Sequence, residues 1–387
     1  MNTIRPHIVI IGTDKAVMRK DSDVRRRLDM YAKGVHGIDV IVFVGASDAS
    51  RAAESSEGVT VYPIVTSNKL VGMFRAFILI RRLAASRAGK GNSVISVQDP
   101  FEVGLIGLIA SWLTGWPLHV QVHIDFFSPY FITESLRQRI QSKIAPFVIR
   151  HAAAVRVVSR KIYTYVTEAL GVSPVKVLCE PVFVDVARFN QSAPSPELRA
   201  KWLRDASEGF VFLMASRLVK QKNIPLGLEA FSIFRSGLAE VERKQVSLVL
   251  VGSGPEESSI HARAQALGLE GVAMYESWTS DLATYIKSAD AFVLSSDYEG
   301  WGMTIVEASA ATIPVIMTDV GCAGELITSE KEGLIVSPRE PAKLAEAMKR
   351  LYTDRDLARR LAQAAHDKVG TPDIAEHVRA IVTSWAI

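Results

Sequence analysis

Short apolar runs rich in β-branched residues recur along the chain, separated by longer amphipathic stretches. In the first half, HIVIIG, DVIVFVG, VTVYPIV, SVISVQD, LHVQVHI and AVRVVS predict strands, and SDVRRRLDMYAKG and KLVGMFRAFILIRRLAASRAG predict helices. A second series opens at FVFLMASR (210–217) and continues through SLVLVG (247–252), VAMYESW (272–278), AFVLSS (291–296), PVIMTD (314–319) and GLIVS (333–337). Repeated strand–helix–strand units describe parallel sheets covered by helices. Between the series, FNQSAPSPELRA (189–200), with Pro194 and Pro196, reads as a linker or boundary loop. The expected fold class is α/β, with two doubly wound Rossmann-like domains over residues 1–188 and 200–370, facing each other across a cleft. Ligands in such sheets bind outside the carboxyl ends of the strands. A last helix is expected over 371–387.

Composition narrows the class. A chain of 387 residues, 48% of them apolar, has material for two cores. Cys179 and Cys322 are too few for a disulfide framework or a cysteine metal cluster, and they fit a reducing, cytoplasmic compartment. The start, MNTIRPHIVIIG, lacks the apolar region and cleavage site of a signal peptide. VGLIGLIASWLTGW (103–116) falls short of the roughly 20 residues a membrane span needs and reads as a buried helix.

Charge is uneven. Residues 1–190 hold 24 Lys+Arg against 15 Asp+Glu, and the remainder holds 21 against 26. A basic first half suggests an acidic partner: an anionic membrane face, a phosphorylated acceptor or nucleic acid. No recognition motif supports nucleic acid. The stretch 69–90 combines Leu70, Phe74, Phe77, Ile78 and Leu83 with Arg75, Arg81, Arg82, Arg87 and Lys90. It reads as a helix lying near an anionic membrane, or as a domain helix with a basic outer face; RQRIQSK (137–143) adds to the same basic character.

The candidate chemistry gathers in DYEGWGMTIVEASAATIPVI (297–316). A strand runs into a glycine loop and then a helix, whose first N–H groups and positive dipole end favour an anion. Gly300 and Gly302 let the backbone approach a phosphate, while Glu299 precedes the helix and Glu307 lies in its first turns. Upstream, ASRLVKQKN places Arg217 and Lys222 after a strand, where two cations suit a diphosphate; a solvated basic loop is the plainer alternative. VGSGP (251–255) reads as a tight strand-to-helix turn. Asp21-Ser22-Asp23 precedes a helix and reads as an N-cap rather than a metal site.

Taken in order, SRLVKQKN, VGSGP and SSDYEGWGMTIVEASAATIPVI resemble the donor domain of the retaining glycosyltransferases of family four, which have the GT-B fold. The E-x7-E spacing is that of Glu299 and Glu307, and the resemblance covers most of residues 210–370. It implies that Arg217 and Lys222 hold the diphosphate of a UDP- or GDP-sugar, that the backbone of Gly302, Met303 and Thr304 caps it, and that Glu307 binds the ribose. Glu299 would meet the sugar and Trp278 the base. His123, in QVHIDFF, resembles the N-domain histidine that faces the donor sugar, with Asp125 orienting it or binding the acceptor. Ser159 is structural. The diglycine loop common in the family is here Gly12 followed by Thr13, which leaves the acceptor side open. The resemblance implies a metal-independent sugar transfer to a glycan, lipid-linked or small-molecule acceptor. It also implies that the last helix crosses back to the first domain, anchored by Trp385. A nucleotide-sugar epimerase and a non-catalytic nucleotide-sugar binder are the alternatives.

Overall fold

The computed structural model describes residues 5–45, 55–87, 92–204 and 208–387. Two compact units emerge, Met1–Pro181 with Asp373–Ile387, and Val182–Pro372. Each is an α/β unit on a parallel sheet. Among the described residues the first sheet has β1 (His7–Gly12), β2 (Gly37–Val44), β3 (Val59–Val65), β4 (Ser93–Val97), β5 (Leu118–Val122), β6 (Ala154–Val157) and β7 (Val177–Cys179), in the order β3-β2-β1-β4-β5-β6-β7. The second has β8 (Phe210–Ala215), β9 (Val246–Val251), β10 (Ala273–Glu276), β11 (Ala291–Leu294), β12 (Val315–Thr318) and β13 (Leu334–Val336), in the order β10-β9-β8-β11-β12-β13. Strand order reverses between β1 and β4 in one and between β8 and β11 in the other, so each unit has the switch point at which doubly wound sheets bind ligands.

The strands are mainly apolar because both faces are covered. In β8, Phe210, Phe212 and Met214 enter one core while Val211, Leu213 and Ala215 enter the core on the opposite face. All twelve expected strands form. The short edge strand β7 was not expected: it pairs three residues, Val177–Cys179, with β6.

The stretch 189–200 is not a spacer. It lies inside the second unit, where helices Val186–Gln191 and Pro196–Leu203 bury Phe189 and Trp202. The Ser-Pro composition that suggested a linker is a helix start: Ser195 accepts from the Leu198 N–H, and Pro196 occupies the first turn. Helix Glu102–Thr114 is only partly the buried helix expected, since Ile109, Trp112 and Leu113 are exposed. The basic helix is described over Lys69–Ser86; the Leu70 side chain and Lys90 lie outside the described residues. Ser22 caps helix Asp23–Ala32 through the Arg25 N–H, 3.1 Å. Both cysteines are free thiols.

The closing helix, Ile374–Ser384, packs on the first unit. Trp385 is 1% exposed, with its ring edge-on to Tyr31 and His119, and Tyr31 Oη meets His377 Nε2 at 2.9 Å. Replacing Trp385 with alanine removes a fully buried aromatic and is expected to cost about 3–5 kcal/mol. Urea denaturation of Trp385→Ala should show that loss; an unchanged midpoint would mean that the helix contributes nothing to the unit.

Candidate active site

In the second unit, two loops leave adjacent strands at the switch point. The loop after β8 carries Arg217, then a tight turn over Lys220–Lys222, then Asn223 at φ 41°. Asn223 caps helix Ile224–Ser236 by accepting from the Leu226 N–H, 3.3 Å. The loop after β11 carries residues 295–302. The two are stitched together by backbone and side chain. The Asp297 N–H donates to the Gln221 carbonyl (2.9 Å), Ser295 Oγ to the Lys222 and Asn223 carbonyls (2.9 Å each), and Asn223 Nδ2 to Asp297 Oδ1 (2.8 Å). Arg339 closes the back of the loop with two bonds to Asp297 Oδ2, 2.7 and 3.1 Å.

That stitching brings Lys222 and Glu299 together in an ion pair between Nζ and Oε1, with side chains 14% and 8% exposed. Ser296 Oγ also donates to Glu299 Oε1, 2.7 Å, and Gln221 Nε2 to Oε2, 3.4 Å. Three residues on the acid's other side, Gly302 stands at φ 93°, a left-handed conformation that favours glycine. It begins helix Met303–Ala310, and no side chain caps that end. Glu307 lies within this helix, half-buried, and Met303 and Thr304 form its start. Arg217 is exposed, and among the described residues its guanidinium makes no hydrogen bond or ion pair. Trp278, beyond β10, is 65% exposed. The second unit thus carries Arg217, Lys222, Glu299, Gly302–Thr304 and Glu307 on two neighbouring loops and the helix that follows.

VGSGP is a scaffold for the first of these loops. A Cβ on Gly252 would stand 1.9 Å from the Ser216 carbonyl oxygen, and one on Gly254 2.2 Å from that of Leu218. The Leu218 N–H in turn bonds the Ser253 carbonyl, 2.9 Å. A cavity of about 270 Å³ opens on the Asp297 side, lined by Lys220, Asn223, Asp297 and Arg339 among others. It includes neither Lys222 nor Glu299.

In the first unit, His123 follows β5 and is half-buried. Asp125 does not orient it: that carboxylate pairs with Lys161 Nζ at 3.0 Å. Gln121 does. Its Oε1 accepts from Arg156 Nη1 (3.3 Å) and faces His123 Nε2 (3.0 Å). Arginine only donates, so the atom it meets is the amide oxygen, and His123 must carry its proton on Nε2. The rest of the chain of bonds follows. Gln121 Nε2 donates to Ser96 Oγ (3.1 Å), which faces His119 Nδ1 (3.0 Å). His119 Nε2 donates to Ser384 Oγ (3.3 Å), whose own proton goes to the Ile381 carbonyl (2.6 Å). Burial, reinforced by Arg156, pushes both imidazoles down to about 3. His123 is therefore neutral, with Nδ1 as its acceptor.

Other first-unit residues separate by role. Gly12 ends β1 against the Gln98 side chain, and Thr13 is exposed beside it. Ser159 caps helix Arg160–Thr164 through the Ile162 N–H, 3.4 Å. Sequence reasoning missed Asp99, just past β4 at the switch point; burial raises its carboxyl to about 6. The QDP that ends its strand run was the available signal. Gln121, Arg156 and Ser384 were missed too, since nothing local marks them as partners of His123. Among the described residues no three His, Cys, Asp or Glu side chains gather as a metal ligand set.

Comparison with known proteins follows the two units. The model for glycosyl transferases group 1 matches residues 195–368, and that for the glycosyl transferase 4-like domain matches 30–182. The lipopolysaccharide core biosynthesis glycosyltransferase LpsD of Rhizobium meliloti is 27% identical over 186 residues, 48% of this chain and 52% of LpsD. A GDP-mannose-dependent alpha-(1-6)-phosphatidylinositol monomannoside mannosyltransferase of Mycobacterium tuberculosis is 30% identical over 199 residues, 49% of this chain and 50% of that one. The chain thus spans about half the length of these curated relatives. The crystal structure of Anabaena HepE in complex with UDP-glucose matches with a TM-score of 0.74 at 19% identity, over 97% of this chain and 98% of HepE. That likeness shows the fold, GT-B.

The two neutral histidines make stability depend on pH. Each binds a proton near 6.5 when unfolded and only near 3 when folded. The unfolded chain therefore takes up protons first, and stability falls as pH drops from 6.5 toward 3. His123→Gln, which cannot titrate, should lose less stability than the wild type between about pH 7 and about pH 5 in urea titrations. Equal losses would mean that His123 is not held neutral.

Proposed function

We propose that this chain, a glycosyltransferase of the GT-B kind by its two family matches and its fold, moves a sugar from a nucleotide-diphosphate sugar to an acceptor with retention of anomeric configuration. The observation that carries the reading is the Lys222–Glu299 pair, fixed beside the uncapped start of helix Met303–Ala310. A cation paired with a carboxylate, and a helix end three residues beyond that carboxylate, match the needs of a sugar diphosphate: charge for the phosphates, an acceptor for sugar hydroxyls, N–H groups for an anion.

In this reading Arg217 and Lys222 bind the diphosphate, and the N–H groups of Gly302, Met303 and Thr304 cap it. As the glycosidic bond breaks, negative charge grows on the departing diphosphate, and these preplaced donors stabilise it. Because the chain supplies that charge itself, the reading requires no metal or other cofactor beyond the UDP- or GDP-sugar. Glu299 holds the sugar, Glu307 the ribose and exposed Trp278 the base. With Glu299 engaged by Lys222, Ser296 and Gln221, attack by the acceptor on the face the diphosphate leaves is favoured over a covalent glutamyl intermediate. His123 enters as a neutral imidazole. Gly12, Thr13 and Asp99 are the candidates for the acceptor side, a glycan, a lipid-linked sugar or a small molecule.

Lys222→Ala should lower turnover by roughly 100- to 1000-fold, the usual cost of removing one group that stabilises transition-state charge. Because Glu299 would then be left buried and unpaired, Lys222→Arg is the companion variant; it should retain part of the activity. Unchanged turnover in Lys222→Ala would remove the diphosphate role. Incubation with donor alone decides against the epimerase alternative: epimerised sugar nucleotide without acceptor would sink the transferase reading.

A further inference from the structure

We propose that the outer face of the three helices Lys69–Ser86, Glu102–Thr114 and Leu136–Arg150 docks the first unit onto an anionic lipid bilayer. The middle helix packs against both others, so the three form one layer. Fourteen large apolar side chains are exposed among the described residues, and nine stand on this layer. The first helix exposes Val71, Phe74 and Ile78, the second Ile109, Trp112 and Leu113, the third Leu136, Ile140 and Phe147. Trp112 and Phe147 flank the same ring, His151, at centroid distances of 6.2 and 4.4 Å, so the second and third helices share one patch. An apolar concentration of this kind marks an interaction surface rather than ordinary surface scatter.

Charge selects the partner. Arg75, Arg81 and Arg82 are exposed on the first helix and Arg137, Arg139 and Lys143 on the third. The three helices contain one acid, Glu102, which is already bound by Arg137 (2.8 Å) and Gln141 (2.7 Å). A second copy of this chain would bring the same cations against each other. Lipid phosphates neutralise them, while Phe and Trp rings enter the interfacial layer and the long basic stems reach back to the headgroups. No helix among the described residues is long and apolar enough to cross a membrane, so contact would be along the surface.

The test is co-sedimentation of the full chain with vesicles of phosphatidylglycerol and phosphatidylcholine, against vesicles of phosphatidylcholine alone. Binding to the anionic vesicles should be at least about tenfold tighter and should weaken with salt. Trp112→Ser with Leu113→Ser, both at exposed positions, should lower it about tenfold with thermal unfolding unchanged, as should Arg81→Glu with Arg82→Glu. Equal binding to both vesicle types, no binding, or wild-type dimers that the Trp112→Ser/Leu113→Ser pair dissociates would overturn the proposal. UDP- or GDP-sugar binding by these variants should match the wild type, which keeps this result separate from the reaction proposed above.

Discussion

The second unit is organised around one ion pair, Lys222 with Glu299, enclosed at the point where its sheet reverses strand order. A pair this buried is a weak source of stability, because removing both charges from water costs about as much as their attraction returns. What it does supply is a fixed geometry. Ser296 and Gln221 satisfy the carboxylate, while Asn223 and Arg339 hold Asp297 two residues before it. The glycines of VGSGP let one loop pass against the next backbone to backbone. The charged groups therefore sit on a frame that is already ordered, which is the condition for electrostatic stabilisation of a leaving group without reorganisation.

The first unit solves a related problem with a buried arginine, Arg156. Arg156 also donates to the carbonyls of Glu180 (3.1 Å) and Pro181 (2.9 Å), so its position is set by backbone. From it, the direction of every bond through Gln121, Ser96 and His119 to Ser384 is determined by donor and acceptor chemistry. The closing helix is thus tied to the sheet by polar bonds as well as by Trp385. One unit presents paired charges at its switch point, and the other holds a neutral His123 on a network that starts from Arg156.

Much of this was legible in the sequence. Buried strands of Val, Ile, Leu and Phe and the Ser22 cap all declare themselves locally. So do Arg217 and Lys222 after one strand and the glutamates after another. That Lys222 and Glu299 meet depended on β8 and β11 being neighbours, which residue patterns hint at only through the fold. The misread linker shows the limit of composition, since Ser195-Pro196 is equally good chemistry for starting a helix. The network behind His123 was invisible for another reason: Gln121, Arg156 and Ser384 come from three elements, and each alone is an ordinary polar residue. The apolar outer face of helix Glu102–Thr114 was hidden because its run of hydrophobic residues carries no periodicity to separate inside from outside.

In the function proposed, the second unit takes a nucleoside diphosphate attached to a sugar. Calorimetric titration with UDP and GDP, each beside its monophosphate, tests it most directly. One diphosphate should bind, and its monophosphate should bind at least about tenfold more weakly, since a charge-assisted contact is worth roughly 1.5–3 kcal/mol. Equal affinity for the diphosphate and its monophosphate, or no binding of either nucleotide, would contradict it.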